Sequence, residues 1–313
     1  MLNPFKRKVD TNSLVAVCPG DENIAVARVS RHRDLPPNLE LVDLQPTESL
    51  SLQGAEIARL CRKAHLDRYY CVTTMSLGGY SLLLLEAPDV PASELRAAIR
   101  WRVQDMIDFH IDDAVIDVFE VPNQRASGNN RMMYAVIAEA VLIKQQTELL
   151  TGAGLKLDVV DIPELALRNL AALLPEDIAG VVTLYLERES GLITITRQST
   201  LYLSRRVDIG YGHLGESIEK AQSRLDRIVV EIQRSLDYYE SHFSQPAVTN
   251  VVIAPLPSPI TGMDQYLAGQ LGINVRLLDI NSLIDMDEPL DNVVQSGCFL
   301  AIGAALREEE KAL

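Results

Sequence analysis

Ile218, Ala221, Leu225, Ile228, Ile232, Leu236, Tyr239 and Phe243 step by threes and fours over seven intervals. That is the period of a long helix burying one side, and no other stretch constrains the chain as tightly. The predicted helix spans about 215–243. Just before it, VVTLYLE, a turn at 188–191, LITITR and TLYLSRRV read as a three-strand meander. The chain opens in the same order. LVAVC, a turn at 19–23 and IAVARV make a hairpin over 13–31, and LELVDL at 39–44 adds a third strand. A helix follows over 50–65, with Leu52, Ile57 and Leu60 on one side. A length of 313 residues is enough for two core-bearing domains, and 175–180 reads as their boundary. The fold class expected is α/β.

Between the two meanders the pattern is interrupted. Strands at 69–74 and 80–86 flank a Gly78-Gly79 turn. Then 93–122 reads as a helix, a short acidic turn and a strand. Leu95, Ile99, Val103 and Met106 mark the buried side of that helix, and AVIDVFEV is a strand stopped at Pro122. Trp101, the only tryptophan, points about 200° away from Ile99, beside Glu94, Ala97, Gln104, Asp105 and Asp108. A polar loop at 125–130 leads to a strand at 132–138 and a helix over about 142–150 that stops at Gly152-Ala153-Gly154. LKLDVVDIP returns the chain to the first domain, and a helix at 164–174 closes it. In the second half come VVIAPLP as strand and loop, a helix at 262–271, INVRLLDI as a strand and a small apolar helix at 297–307, expected to lie on the second sheet. The division is 9–88 plus 157–178 for the first domain, 89–156 for an insertion and 179–313 for the second domain.

A formal charge of −14 (29 Lys and Arg against 43 Asp and Glu) argues against sequence-independent nucleic-acid binding, which depends on a basic surface. Cys18, Cys61, Cys71 and Cys298 form no CxxC pair and no HExxH occurs, so no metal-site spacing is present and free thiols are expected. No apolar run reaches the roughly 18 residues needed to cross a bilayer, and MLNPFKRK has no signal-peptide core. Lys6, Arg7 and Lys8 read as a solubilising tail; contact with an anionic leaflet would add about 1 kcal/mol each at most. A cytoplasmic protein that meets the membrane only through partners is expected.

Two patches carry a family resemblance. Helix, then Met106-Ile107-Asp108-Phe109-His110, acidic residues and strand resemble the insertion of the type IV pilus assembly proteins PilM and MshI, although Asp108 and His110 stand where that family usually has proline. EIQRSLDYYE at 231–240 is very close to a phrase characteristic of PilM, and the strand at 201–214 with Gly210-Tyr211-Gly212 is similar to what precedes it there. The resemblance covers nearly the whole chain. It implies a duplicated actin-like (RNase H-like) fold with a small α/β insertion in the first domain. It also implies a scaffold lying under the inner membrane. There it would capture the N-terminal cytoplasmic peptide of a bitopic PilN-like protein in the groove between first domain and insertion, and relay contact to a hexameric assembly ATPase. Homodimerisation is left open. GspL of type II secretion and the division protein FtsA are weaker resemblances.

An actin-like ATPase needs an Asp and a Gly at the first hairpin of each half, the Asp organising Mg²⁺ and the Gly admitting phosphate oxygens to backbone N–H groups. Here the first strand ends in Cys18-Pro19-Gly20. Gly20 is kept, but a thiol is a poor ligand for a hard cation, and Pro19 lacks an N–H. The Lys expected shortly afterwards falls at Ala25. The second hairpin has Tyr185-Leu186-Glu187, and the glycines expected near adenosine fall at Ala254, Pro255 and Pro257. A shift of register by a few residues would let Asp21 or Glu187 take the acidic role. No nucleotide, no metal and no catalysis are expected, since no nucleophile is paired with a base. Arg96, Arg100, Trp101 and Phe109 are the candidate partner contacts. Asp105, Asp108, Asp112 and Asp113 read as a solvated acidic turn, and 308–310 as a charged end. Rival readings are an ATP-binding filament former and a type II secretion platform protein, the latter disfavoured by the lack of a spanning segment after Leu313.

Overall fold

A computed structural model describes residues 10–31, 35–47, 49–121, 131–215, 217–243 and 245–308. The expectations placed on Lys6, Arg7, Lys8, Pro122, the 125–130 loop, Glu309 and Glu310 lie outside these.

The first sheet begins as the expected meander of β1 (Asp10–Pro19), β2 (Asn23–Ser30) and β3 (Asn38–Pro46). Helix α1 (Leu50–Ala64) then carries the chain to β4 (Tyr69–Thr74), parallel to β1. The next strand, β5 (Tyr80–Glu86), does not pair with β4 across the Gly78-Gly79 turn. It joins a separate three-stranded sheet, ordered β5-β7-β6, with β6 (Ala114–Glu120) and β7 (Met132–Glu139). Helix α2 (Ala92–Val103) covers one face of that sheet. Helix α3 (Ala140–Gly152) leads to β8 (Lys156–Asp161), an edge strand of the first sheet, and α4 (Pro163–Ala171) follows. The second meander is β9 (Val181–Leu186), β10 (Gly191–Arg197) and β11 (Thr200–Val207), succeeded by α5 (Ile218–Phe243). Then come β12 (Asn250–Ile253), α6 (Met263–Leu271), β13 (Asn274–Leu277), the two-residue β14 (Asp285–Met286) and α7 (Asn292–Ala305). The second sheet is ordered β11-β10-β9-β12-β13, and the first β14-β3-β2-β1-β4-β8.

The first sheet is buried on both faces, which its alternation explains. Val15, Val17, Ile24 and Val26 face α1 and α3, while Ala16, Ala25, Ala27 and Val29 face α7 and α4. The second face is small because a helix lies close to it. At Gly297 an added Cβ would stand 2.5 Å from Leu44, and at Gly303 it would stand 2.4 Å from the carbonyl oxygen of Ala166. Helices α4 and α7 therefore cross at near contact. Asn169 Nδ2 donates to the Gly303 carbonyl at 2.9 Å. The same core takes in Val181, Tyr185, Leu192, Val252 and Ala254 of the second sheet, so the helix pair lies between the two large sheets. On the outer face of the second sheet, the predicted stripe of α5 packs as expected.

Several expectations are corrected. The last helix does not lie on the second sheet. It packs on β1, β2 and β3, and β14 pairs with β3, so the chain re-enters the first body after β13. The second domain does not extend through 313. Helix α7 also starts five residues earlier than read, because Asp291 caps it by accepting from Val294 N at 2.9 Å. The insertion sheet recruits β5, which lies before residue 89, whereas α3 belongs to the layer of α1. Leu52 is 53% exposed; it stands about 140° around the helix from Ile57. Met106 is 51% exposed, because α2 ends at Val103 and tightens to a 3₁₀ turn that breaks the spacing of fours.

Three units meet at one buried carboxyl. Tyr80 Oη of β5 donates to Glu164 Oε2 at 2.5 Å, and Ser204 Oγ of β11 donates to Glu164 Oε1 at 3.2 Å. Burial pushes the Glu164 carboxyl above its ordinary value, against the pull of the two hydroxyls and Arg206. A raised native value adds stability at pH below the ordinary 4.5 and removes it as pH rises through the native value. In urea titrations Glu164→Gln, whose amide keeps both hydroxyl contacts, should therefore gain on the wild type between pH 4.5 and neutrality; an unchanged difference would contradict this. At the helix crossing, Gly303→Ala should cost about 2 kcal/mol, since overpacking of about 1–3 kcal/mol outweighs the helix-propensity gain of up to about 1. A variant as stable as the wild type in the same titration would show that α4 and α7 are not in close contact.

Candidate partner groove and the filled cleft

The first hairpin and the second face each other across the upper end of the helix pair, where an actin-like ATPase would hold phosphates. Here the donors are used internally. Gly20 N donates to Asn23 O at 2.8 Å, and Gly20 O accepts from Gln53 Nε2 at 2.6 Å. Glu187 N donates to Ser190 O at 2.8 Å. The Gly210-Tyr211-Gly212 turn lies directly on the second hairpin: Tyr211 N and Gly212 N donate to the carbonyls of Glu187 and Arg188 at 2.8 and 2.9 Å. A Cβ at Gly210 would meet the Arg188 carbonyl at 2.3 Å, so only glycine fits.

Side chains occupy the interior. Tyr185 is buried and stacks on Phe299 of α7, ring centroids 5.9 Å apart and 15° from parallel. Cys18 accepts from Thr74 Oγ1 at 3.3 Å, and burial pushes its thiol up. Ala25, paired with Cys18 across the hairpin, is in the core. Ala254 and Pro255 are buried, and Ala254 N donates to Leu184 O at 2.8 Å; Pro257 is half-buried. Burial likewise raises Glu187. On the rim, Arg188 bridges the two hairpins by an ion pair to Glu22 at 2.5 Å. Both of these side chains are exposed, so the bridge contributes at most about 1 kcal/mol. Among the described residues no group of three His, Cys, Asp or Glu is placed to hold a metal ion, and no helix is long and apolar enough to cross a membrane.

Open space lies between the insertion and the first body. A groove of about 480 Å³ is lined by Asp117, Val118 and Phe119 of β6, by Val136 of β7 and by Asp158 to Ile162 along β8. Leu165 and Arg168 of α4, with Arg96 and Arg307, complete it. Strands β6 and β8 are both sheet edges. Arg96 pairs with Asp117 at 3.1 Å, and Arg307 holds the buried Asp161 at 2.6 Å. Burial pushes the Asp161 carboxyl up while Arg307 opposes it. The groove thus has apolar walls of Val, Phe and Leu with both signs of charge along them.

Of the four partner contacts read from sequence, the structure brings Arg96 to this groove. Arg100 points instead to Asp112 at 2.7 Å. Phe109 packs into the insertion's own core, and Trp101 stands 75% exposed on α2, away from the groove lining. Phe119, Asp158 and Leu165 were missed. Nothing in their local spacing marks them, because the groove forms only when β6 and β8, separated by 35 residues, come together.

Neither a protein-family model nor a curated protein matches this sequence. Solved structures do. One described as a PilM–PilN type IV pilus biogenesis complex superposes with a TM-score of 0.77 at 20% identity, covering 94% of this chain and 97% of that one. The cytoplasmic domain of EpsL, an inner-membrane component of the type II secretion system of Vibrio cholerae, gives 0.53 at 12% identity, covering 95% and 96%. A Bacteroides thetaiotaomicron protein of actin-like ATPase fold and unknown function gives 0.50 at 8%, covering 91% and 96%. At these identities the likeness is one of fold. Two mixed sheets facing each other across α4 and α7, with a small insertion sheet beside the first, are the actin-like fold, and this chain has it.

Proposed function

We propose that this protein is a non-enzymatic scaffold of a type IV pilus assembly platform. It holds the N-terminal cytoplasmic peptide of a bitopic PilN-like protein in the groove between β6 and β8. The observation that carries this reading is the groove itself. It is open, apolar-walled and flanked by two edge strands, whose backbone groups can pair with an extended peptide. It occurs in a chain whose fold matches that of a PilM–PilN complex over nearly its full length. The packing at the hairpins supports a role without nucleotide turnover, because Tyr185 at the second hairpin is buried against Phe299 of α7 and the loop N–H groups are bonded internally. Contact with a hexameric assembly ATPase, service to an MSHA-type pilus and a position on the cytoplasmic face of the inner membrane belong to the same proposal. A type II secretion role draws support from the EpsL likeness, at a TM-score of 0.53 against 0.77.

Fluorescence anisotropy with the N-terminal peptide of the PilN-like protein from the same organism tests the reading. Arg96→Glu and Asp158→Arg, both on exposed side chains, should each weaken binding roughly tenfold, about 1.4 kcal/mol, with unchanged melting temperature. Trp101→Ala should leave the affinity alone. Failure of the wild type to bind the peptide would remove the proposal.

A further inference from the structure

In a chain of formal charge −14, one flank of α5 is basic. Lys220, Arg224, Arg227 and Arg234 recur at spacings of four, three and seven, so at about 100° per residue they form one stripe beside the buried one. All four are exposed, as is Val230 among them. Glu231 on the same flank is held by Arg205 at 3.3 Å and Arg234 at 2.8 Å. Lys220, Arg224 and Arg227 pair with no carboxylate among the described residues. Between this stripe and β11 runs a second groove of about 480 Å³, with Val207 and Ile209 buried at its base. Arg206, Arg227, Val230 and Arg234 line its wall together with Asp208, Asp226 and Glu231, of which Asp226 accepts from the Tyr266 hydroxyl and Glu231 is held by arginines.

The complementary surface is on α2. Trp101 stands out from a helix pinned by buried Ile99 and Val103, with Met106 exposed nearby. Asp105 and Asp108 follow it, exposed and paired with no cation among the described residues. The neighbouring arginines are engaged elsewhere: Arg96 on Asp117, Arg100 on Asp112 and Arg102 on the Glu86 carbonyl. Helix α2 covers the sheet face of Met133 and Ala135, whereas Tyr134 on the opposite face reaches Tyr202 of β11, 3.0 Å from hydroxyl to carbonyl. Within one chain, Trp101 therefore faces away from α5.

We propose that Trp101 of one copy of this chain seats in the β11–α5 groove of a second copy. Arg227 and Arg234 lie against the indole face, and Asp105 and Asp108 lie over Arg224 and Lys220. Guanidinium on indole and a central aromatic in a pocket are what a small contact of this kind needs. Arg224 and Lys220 precede Arg227 by about one and two turns of α5, while Asp105 and Asp108 follow Trp101 in the 3₁₀ turn and the extended segment beyond α2. The shared net charge does not prevent the contact. At physiological salt the Debye length is about 8 Å, which screens whole-molecule repulsion and spares charges in contact. Because knob and hole lie on different parts of the molecule, the contact is heterologous and repeats head to tail.

Sedimentation velocity on the full chain, up to about 200 µM, the range for a small interface, tests this. The average mass of the wild type should rise with concentration past that of a dimer. Trp101→Ala and Arg227→Glu should each weaken association about tenfold or more, with melting temperatures unchanged since both sites are exposed. Each variant keeps one intact surface, so mixing the two should give a one-to-one heterodimer and nothing longer. A monomeric wild type, association that survives both substitutions, or a mixture that stays monomeric would each overturn the proposal.

Discussion

Helices α4 and α7 touch backbone to backbone where Gly303 meets Ala166, and most of the architecture follows from that contact. Helix α7 is small on nearly every side, with Ala301, Gly303, Ala304 and Ala305 buried together. A helix so thin lets the first sheet, α4 and the second sheet close on a single core. One interior then serves both halves. The chain makes this possible by returning: after β13 it pairs β14 with β3 and lays α7 across β1 to β3. The ion pair of Arg307 with buried Asp161 fixes the end of that return beside β8.

The same closeness decides what the cleft and the grooves are. With Phe299 on α7, Tyr185 on β9 has a ring to stack on, and the pair is part of the shared core. The chain keeps the actin-like frame while its interior is packed with side chains. Open space lies instead at the margins, where the insertion sheet meets the first body and where α5 overhangs β11. Glu164 links these margins, since its carboxyl takes a hydroxyl from β5 and another from β11.

Much of this was legible in the sequence because the informative stretches are periodic. The α5 stripe, both meanders and the buried pair Ile99 and Val103 are local patterns, and local patterns survive folding. What failed was non-local. Helix α7 is apolar nearly all round, so no face tells which sheet it joins, and a two-residue strand such as β14 has no period. That Cys18 and Tyr185 stand at the expected phosphate-loop positions and Pro255 at the expected adenosine turn could be read residue by residue, but not that Tyr185 would meet Phe299, more than a hundred positions on. Arg96 was found as a charge near Trp101 on one helix, whereas Phe119, Asp158 and Leu165 become neighbours only through topology.

The central claim is that the residues between the two hairpins are packed as core, on which the proposed scaffold role rests. Thermal unfolding with millimolar Mg-ATP tests it most directly. A ligand at 100 times its dissociation constant adds about 2.7 kcal/mol of stability, a shift of several degrees. The account requires the melting temperature to stay where it is. A rise with Mg-ATP that Mg²⁺ alone does not give would show that Tyr185 and Phe299 can part to admit a nucleotide, and would contradict it.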